Sequence, residues 1–169
     1  MHKITFFPLG NADCCRIDTS NGRKFLFDYA NRRDPKDKQD KRIDLFAELK
    51  KDLQAAKRDS YDVVAFTHLD DDHICGAHDF FFFEHAEKYQ SKDRTKIGQM
   101  WVPAAVIVES KPDGDAGIVQ AEARYRLKNK KGIPFPLYIC TNPERLSPSS
   151  NFWSSSQSLR SSRSLWCSR

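Results

Sequence analysis

The stretch Thr67-His68-Leu69-Asp70-Asp71-Asp72-His73 places two histidines and two metal-competent carboxylates within six residues, directly after the apolar run Val63 to Phe66. Histidine and ionised carboxylate are costly to bury without partners. A strand that runs into His68, Asp70, Asp72 and His73 is therefore best satisfied by a cation that takes their lone pairs. Gly76 closes the run at a point where the chain can turn into a following helix. The alternative is a solvated acidic loop with incidental histidines. A strand before and a glycine after favour the site, because a site needs a rigid support.

The spacing carries a mechanical expectation. His68 and Asp70 project to one side of the loop, Asp72 and His73 to another, so two neighbouring cations can be seeded. A hydrolytic dinuclear centre needs two cations about 3.5–4 Å apart, a bridging oxygen and an open position for water. Asp72, or alternatively Asp70, is the carboxylate placed to act as the base that holds this water; Asp72 is the catalytic candidate.

The first thirty residues read as three short strands. Ile4 to Phe7 is followed by the turn Leu9-Gly10-Asn11-Ala12-Asp13, then Cys14 to Asp18, the hairpin turn Asn21-Gly22, and Lys24 to Phe27 ending at Asp28. This meander and the His68-x-Asp70-x-Asp72-His73 loop together resemble the metallo-β-lactamase superfamily, whose usual loop is H-x-H-x-D-H, with Asp70 standing where the second histidine is usual. The opening is similar to the branch that includes the hydrolase domain of bacterial DNA-uptake channel proteins, where the turn is nearer V-G-Q-G-D and Ala12 departs from it.

The resemblance implies an α/β (α+β) fold, the N-terminal half or slightly more of an αββα sandwich, with two divalent metal ions at the edge of two facing sheets. It places His68 and Asp70 in the first metal site, and Asp72 and His73 in the second. Asp28 matches an aspartate that supports the loop from behind and is not a ligand. Zinc is the first choice of metal. A carboxylate in place of an imidazole hardens the site and brings manganese in beside it. The superfamily takes its remaining ligands from later in the chain, and no histidine follows His85, so a truncated fold with an incomplete site is expected.

Elsewhere the residues read plainly. Leu45, Leu49 and Leu53, with Phe46, give an amphipathic helix over residues 43–57. The mixed-charge segment 31–42 reads as a mobile loop overhanging the site. Phe80 to Phe83 fall in a segment, 79–88, read as a deeply packed helix; His78 and His85 are read as partnered or exposed side chains rather than ligands, and Cys75 as a packing residue. Residues 99–108 suggest a buried strand interrupted by Pro103, and 117–128 a helix with Ile118, Ala121 and Tyr125 on one side. The helix ends in Arg124, Arg126, Lys128, Lys130 and Lys131, which either complement its dipole or contact phosphates.

The 169 residues are enough for one domain. A metallo-β-lactamase-like domain is expected over 1–146, with a Ser/Arg-rich tail over 147–169 read as disordered or out of frame. Of the formal net charge of +5, the tail arginines Arg160, Arg163 and Arg169 supply +3, so overall basicity says little about the folded part's partner. Five scattered cysteines, Cys14, Cys15, Cys75, Cys140 and Cys167, with no apolar run of membrane-spanning length, point to a reducing cytoplasm and no membrane. The function expected is a metallohydrolase using a metal-activated water, with a phosphodiester of a nucleic acid or nucleotide as the preferred substrate class. No residue is assigned to substrate binding. The alternative is a non-catalytic remnant or interaction module that retains a partial metal site.

Overall fold

The computed structural model describes residues 1–108, 110 and 112–131. Five strands form one open mixed sheet in the order β1 to β5: Lys3–Phe6, Cys15–Asp18, Lys24–Phe27, Ser60–Ala65 and Lys96–Trp101. The first two pairings are antiparallel and the last two parallel. Turn chemistry makes the first two connections, Gly22 adopting a φ of +80° between β2 and β3. Crossovers long enough to hold a helix make the others.

One face of the sheet carries the core. Leu26, Val64 and Met100 are fully buried there, beneath Leu45, Leu49 and Leu53 of α1 (Leu45–Ala55). Asp44 caps α1 by accepting a hydrogen bond from the Ala47 amide. At its other end Lys57 takes a left-handed φ of +54°, while the Lys57 and Arg58 amides bond back to the Gln54 and Leu53 carbonyls, as helix termini commonly do. Arg16, Asp18 and Lys24 lie on this same covered face. Arg16 and Lys24 each bridge Asp18 of the sheet and Asp52 of α1, at 2.6–2.9 Å.

The phenylalanine run is not the helix expected from its sequence. A one-turn helix α3 (Ala77–Phe80) gives way to extended chain at Phe81, which bridges Thr95, and a 3₁₀ turn follows at Glu87–Tyr89. In a helix four consecutive rings would fan around most of the circumference at about 100° each. Extended backbone instead alternates them, so Phe81 and Phe83 enter the core with Phe80 while Phe82 stays half-buried. Residues 104–108 also differ from expectation: they form α4 (Ala104–Val108) rather than a continued strand. Pro103 cannot donate to a sheet ladder, whereas its fixed φ suits a helix start.

The last helix, α5 (Gly114–Lys128), turns a different side inward from the one expected. Val119, Gln120, Glu122, Ala123 and Arg126 are buried, and Ile118, Ala121 and Tyr125 only partly so. Glu122 and Arg126 can be buried because they satisfy each other at 2.6 Å, while the Glu122 carboxylate also accepts from the His85 amide and meets His85 Nδ1 at 3.0 Å. Burial alone would push the Glu122 carboxyl up, but the hydrogen bonds from His85 and Arg126 prevail and hold it below the ordinary range. Arg126, one of the five cations at this helix end, is thereby internal, and Lys131 pairs with Glu84. The anticipated 1–146 domain boundary, the tail, Cys140 and Cys167 lie outside the described residues. No described helix is long and apolar enough to cross a membrane.

Two outcomes follow from the buried pair. Glu122→Ala leaves the Arg126 guanidinium buried without its main partner and should cost about 3–5 kcal/mol of unfolding free energy, read by urea titration. Because folding lowers the Glu122 pKa, its contribution is complete above the unfolded value of about 4.3 and disappears as pH falls through the folded value. The Glu122→Gln protein should therefore lose less stability than the parent on acidification below that range.

Candidate metal centre

The site lies where β3 and β4 end side by side. Phe27 is in register with Ala65, and immediately beyond, Asp28 swings into a left-handed backbone at a φ of +57°. Aspartate is among the few residues that tolerate this region. Its amide bonds to the Ala65 carbonyl, and the amides of Tyr29 and Asn31 bond to His73 and Cys75. Residues 28–31 thus run as a rail along the loop that carries His73 and Cys75.

The turn aims the buried Asp28 carboxylate back at the loop. One oxygen accepts from the Thr67 amide at 2.7 Å. The other accepts from the Thr67 hydroxyl at 2.8 Å and lies 3.0 Å from His73 Nδ1. A threonine hydroxyl has one proton, and here it goes to Asp28. The Thr67 oxygen, 3.0 Å from His68 Nδ1, is then left to accept. In neutral rings this assigns the proton to Nδ1 of both His68 and His73 and leaves both Nε2 lone pairs free.

Those lone pairs face carboxylates. His73 Nε2 is 3.7 Å from Asp72 and 3.6 Å from Asp13; His68 Nε2 is 3.4 Å from Asp70. The two rings are 3.6 Å apart between centroids. Imidazole nitrogens and carboxylate oxygens gathered in this way form a donor set that a cation can bridge.

His68, Asp72 and His73 each offer a ligand atom, and these atoms all lie within 4.8 Å of one another. His73 is held in the scaffold with its side chain 10% exposed, while Asp72 and His68 stand open at 41% and 44%. Asp70 does not join the group. Its side chain is 78% exposed and its backbone opens the one-turn helix α2 (Asp71–Ile74), its carbonyl accepting from the His73 amide. The four anticipated ligands thus sort as one group of three plus a rim carboxylate, rather than as two pairs.

The donor chemistry fits one divalent ion with positions left open. Asp28 stands behind the loop, touching His73 and Thr67. Thr67 and Asp13 were not singled out in the sequence. Asp13 had a signal in its turn position, and its amide bonds to the Asp72 carbonyl at 2.9 Å.

Other anticipated roles also resolve. His78 packs its Nδ1 against Asp115, whose carboxylate also accepts from the Gly76 amide at 2.7 Å; His85 belongs to the Glu122 pair. Neither joins the group. Gly76 has a φ of +74°, as its turn requires. Within the 31–42 loop, Arg32 reaches Asp71 of α2 at 3.5 Å. Cys75 is half-buried, and burial, with the charges of Asp71 and Asp115 behind it, raises its thiol pKa, which weighs against a thiolate ligand. Comparison with family models, curated proteins and solved structures returns no match.

Asp28→Asn keeps a residue suited to the left-handed turn but removes one acceptor from the Thr67–His73 pair. Zinc affinity measured by competition with a chromophoric chelator should fall about 10–100-fold, as loss of a partner behind a ligating histidine usually costs.

Proposed function

We propose that the chain is a metal-dependent hydrolase of the metallo-β-lactamase type, acting on phosphodiesters of nucleic acids or nucleotides, with His68, Asp72 and His73 holding its catalytic cation. The observation that carries this reading is geometric: His68 and His73 meet Thr67 and Asp28 through Nδ1, and His68, Asp72 and His73 bring ligand atoms within 4.8 Å of one another. Three protein donors with coordination left open is the pattern of catalytic rather than structural zinc sites. A bound divalent cation, zinc first and manganese second, supplies Lewis acidity and brings the pKa of a coordinated water from 15.7 to about 7.

The chain's own residues do the rest. His73, the least exposed of the three, sets the position, and Asp28 keeps its ring from rotating. Asp72 contributes negative charge at the open side. Asp70 and Asp13, at the rim, are the carboxylates available to take a proton from an incoming nucleophile or to draw in a second cation. The phosphodiester preference rests on the resemblance of the loop and of the Leu9-Gly10-Asn11-Ala12-Asp13 turn. A specific observation favours a second reading, a non-catalytic module with a partial metal site: the three donors form one group where a dinuclear centre needs more.

The full chain supplied with zinc or manganese should hydrolyse bis-p-nitrophenyl phosphate, and the double variant His68→Ala, Asp72→Ala should lose both turnover and bound metal. Unchanged metal content in that variant, by elemental analysis, would overturn the site. Metal binding by the parent without any turnover would select the non-catalytic reading.

A further inference from the structure

Helix α1 and the loop before β5 enclose a pocket that shares no residue with the metal centre. Phe46, Lys50, Leu53 and Gln54 recur at i, i+4, i+7 and i+8, so they form one stripe along α1. Lys92 to Thr95 line the pocket with this stripe, around a volume of about 450 Å³. Small-molecule sites commonly hold about 300–1,000 Å³. From Phe46 to Gln54 the stripe is about 12 Å long, at 1.5 Å per helical residue. The Phe46 ring is 37% exposed while Leu53 is buried, so an aromatic surface stands open beside an apolar floor.

Two polar groups of the lining lack a matching partner. Thr95 is 1% exposed and its hydroxyl has no hydrogen-bond partner, although its amide and carbonyl are both taken by the phenylalanine run, at 2.9 and 2.8 Å. A buried hydroxyl left unpaired is uncommon in folded proteins. The half-buried Lys50 ammonium meets the Asp93 carbonyl and the rings of Phe46 and Phe80, at 5.7 and 5.2 Å from their centroids. No carboxylate among the described residues pairs with it. Burial pulls its pKa below the usual lysine range; Asp93 opposes this and Arg94 adds to it.

The other charges of the lining are largely committed. Arg58 pairs with Asp62, and Asp59 with Lys96, each at 2.7 Å. Arg94 donates to the His78 and Phe81 carbonyls, which leave its charge uncancelled. Lys92 is exposed and pairs with no described carboxylate. Asp93, whose carboxyl a Ser91 hydrogen bond holds below the ordinary range, is the remaining acid set against Lys50, Lys92 and Arg94. The balance favours an anion.

We propose that this pocket binds a nucleoside monophosphate, its base on the Phe46 ring and its phosphate between Lys50 and Lys92, in reach of the Thr95 hydroxyl. Every base has a flat face that stacks on an aromatic side chain, and the Gln54 amide on the same stripe offers a donor and an acceptor to a base edge. A phosphate supplies Lys50 with the counter-ion it lacks, through charge-assisted hydrogen bonds. Inorganic phosphate or a neutral nucleoside satisfies only one half of the lining. A nucleic-acid strand occupies about 4–16 nucleotides of a groove, more than a stripe of two helical turns can line. The site does not depend on the hydrolase reading.

The test is isothermal titration calorimetry of the full chain with AMP as the probe and EDTA present, so that no cation at His68, Asp72 and His73 can hold the phosphate. AMP should bind with a Kd below about 1 mM and about 10-fold more tightly than adenosine or inorganic phosphate. Lys50→Met, which keeps the apolar stem, and Lys92→Glu, on an exposed side chain, should each weaken AMP about 10-fold. Thr95→Val, which keeps the side-chain shape, should weaken it about 5-fold. Far-UV circular dichroism identical to the parent's shows that the variants fold. Absence of AMP binding at about 5 mM overturns the proposal, as does adenosine or inorganic phosphate binding as tightly as AMP. An AMP affinity unmoved in the folded Lys50→Met and Lys92→Glu variants overturns it too. So does a single-stranded oligonucleotide that binds here and that AMP does not displace, which would assign the pocket to a strand.

Discussion

The Asp28 carboxylate is the point on which the loop from Thr67 to His73 depends. Buried to 7% side-chain exposure, it has its oxygens satisfied because the Thr67 amide, the Thr67 hydroxyl and His73 Nδ1 converge on it. Those same contacts fix the ring of His73 directly and that of His68 through the shared hydroxyl. The left-handed turn at Asp28 is an uncommon conformation for any residue but glycine, offset here by the backbone rail that residues 28–31 form along 65–75. Removing the carboxylate would leave a bend with histidines on it.

A second constraint governs how the layers attach. Arg16, Lys24, Asp18 and Asp52 close a ring of ion pairs between β2, β3 and α1, and Glu122 and Arg126 do the same between α5, His85 and the Ile97 carbonyl. Desolvating such groups offsets much of their mutual attraction, so they add little net stability over an apolar contact. Their effect is on register, because a helix shifted by one turn would leave a charge unpaired. These charges share the covered face with the apolar core of Leu26, Val64 and Met100.

Much of this was legible in local sequence. The three opening strands, α1 and its leucine stripe, the strand before His68 and the turn at Gly76 are matters of periodicity and turn chemistry, which act over a few residues. The phenylalanine run was misread because four apolar residues in a row have no period, and only the Thr95 bridge pulls them into extended chain. Residues 104–108 were misread because their β-branched composition outweighed Pro103. The α5 face was misread because Glu122 and Arg126 look like solvent residues until their partners are known.

The sequence by itself determined that two histidines and two carboxylates would crowd the end of a buried strand, and that Asp28 would stand at the end of its neighbour. Their spacing alone implied two pairs of ligands. Only the tertiary structure decided that His68, Asp72 and His73 form one group, that Asp70 opens a helix turn at the rim, and that Asp13 approaches from another connection. The reason is physical. Donor types and short-range turns are encoded in adjacent residues, whereas the direction of each lone pair is set by hydrogen bonds from segments distant in the chain that meet only when the sheet has formed.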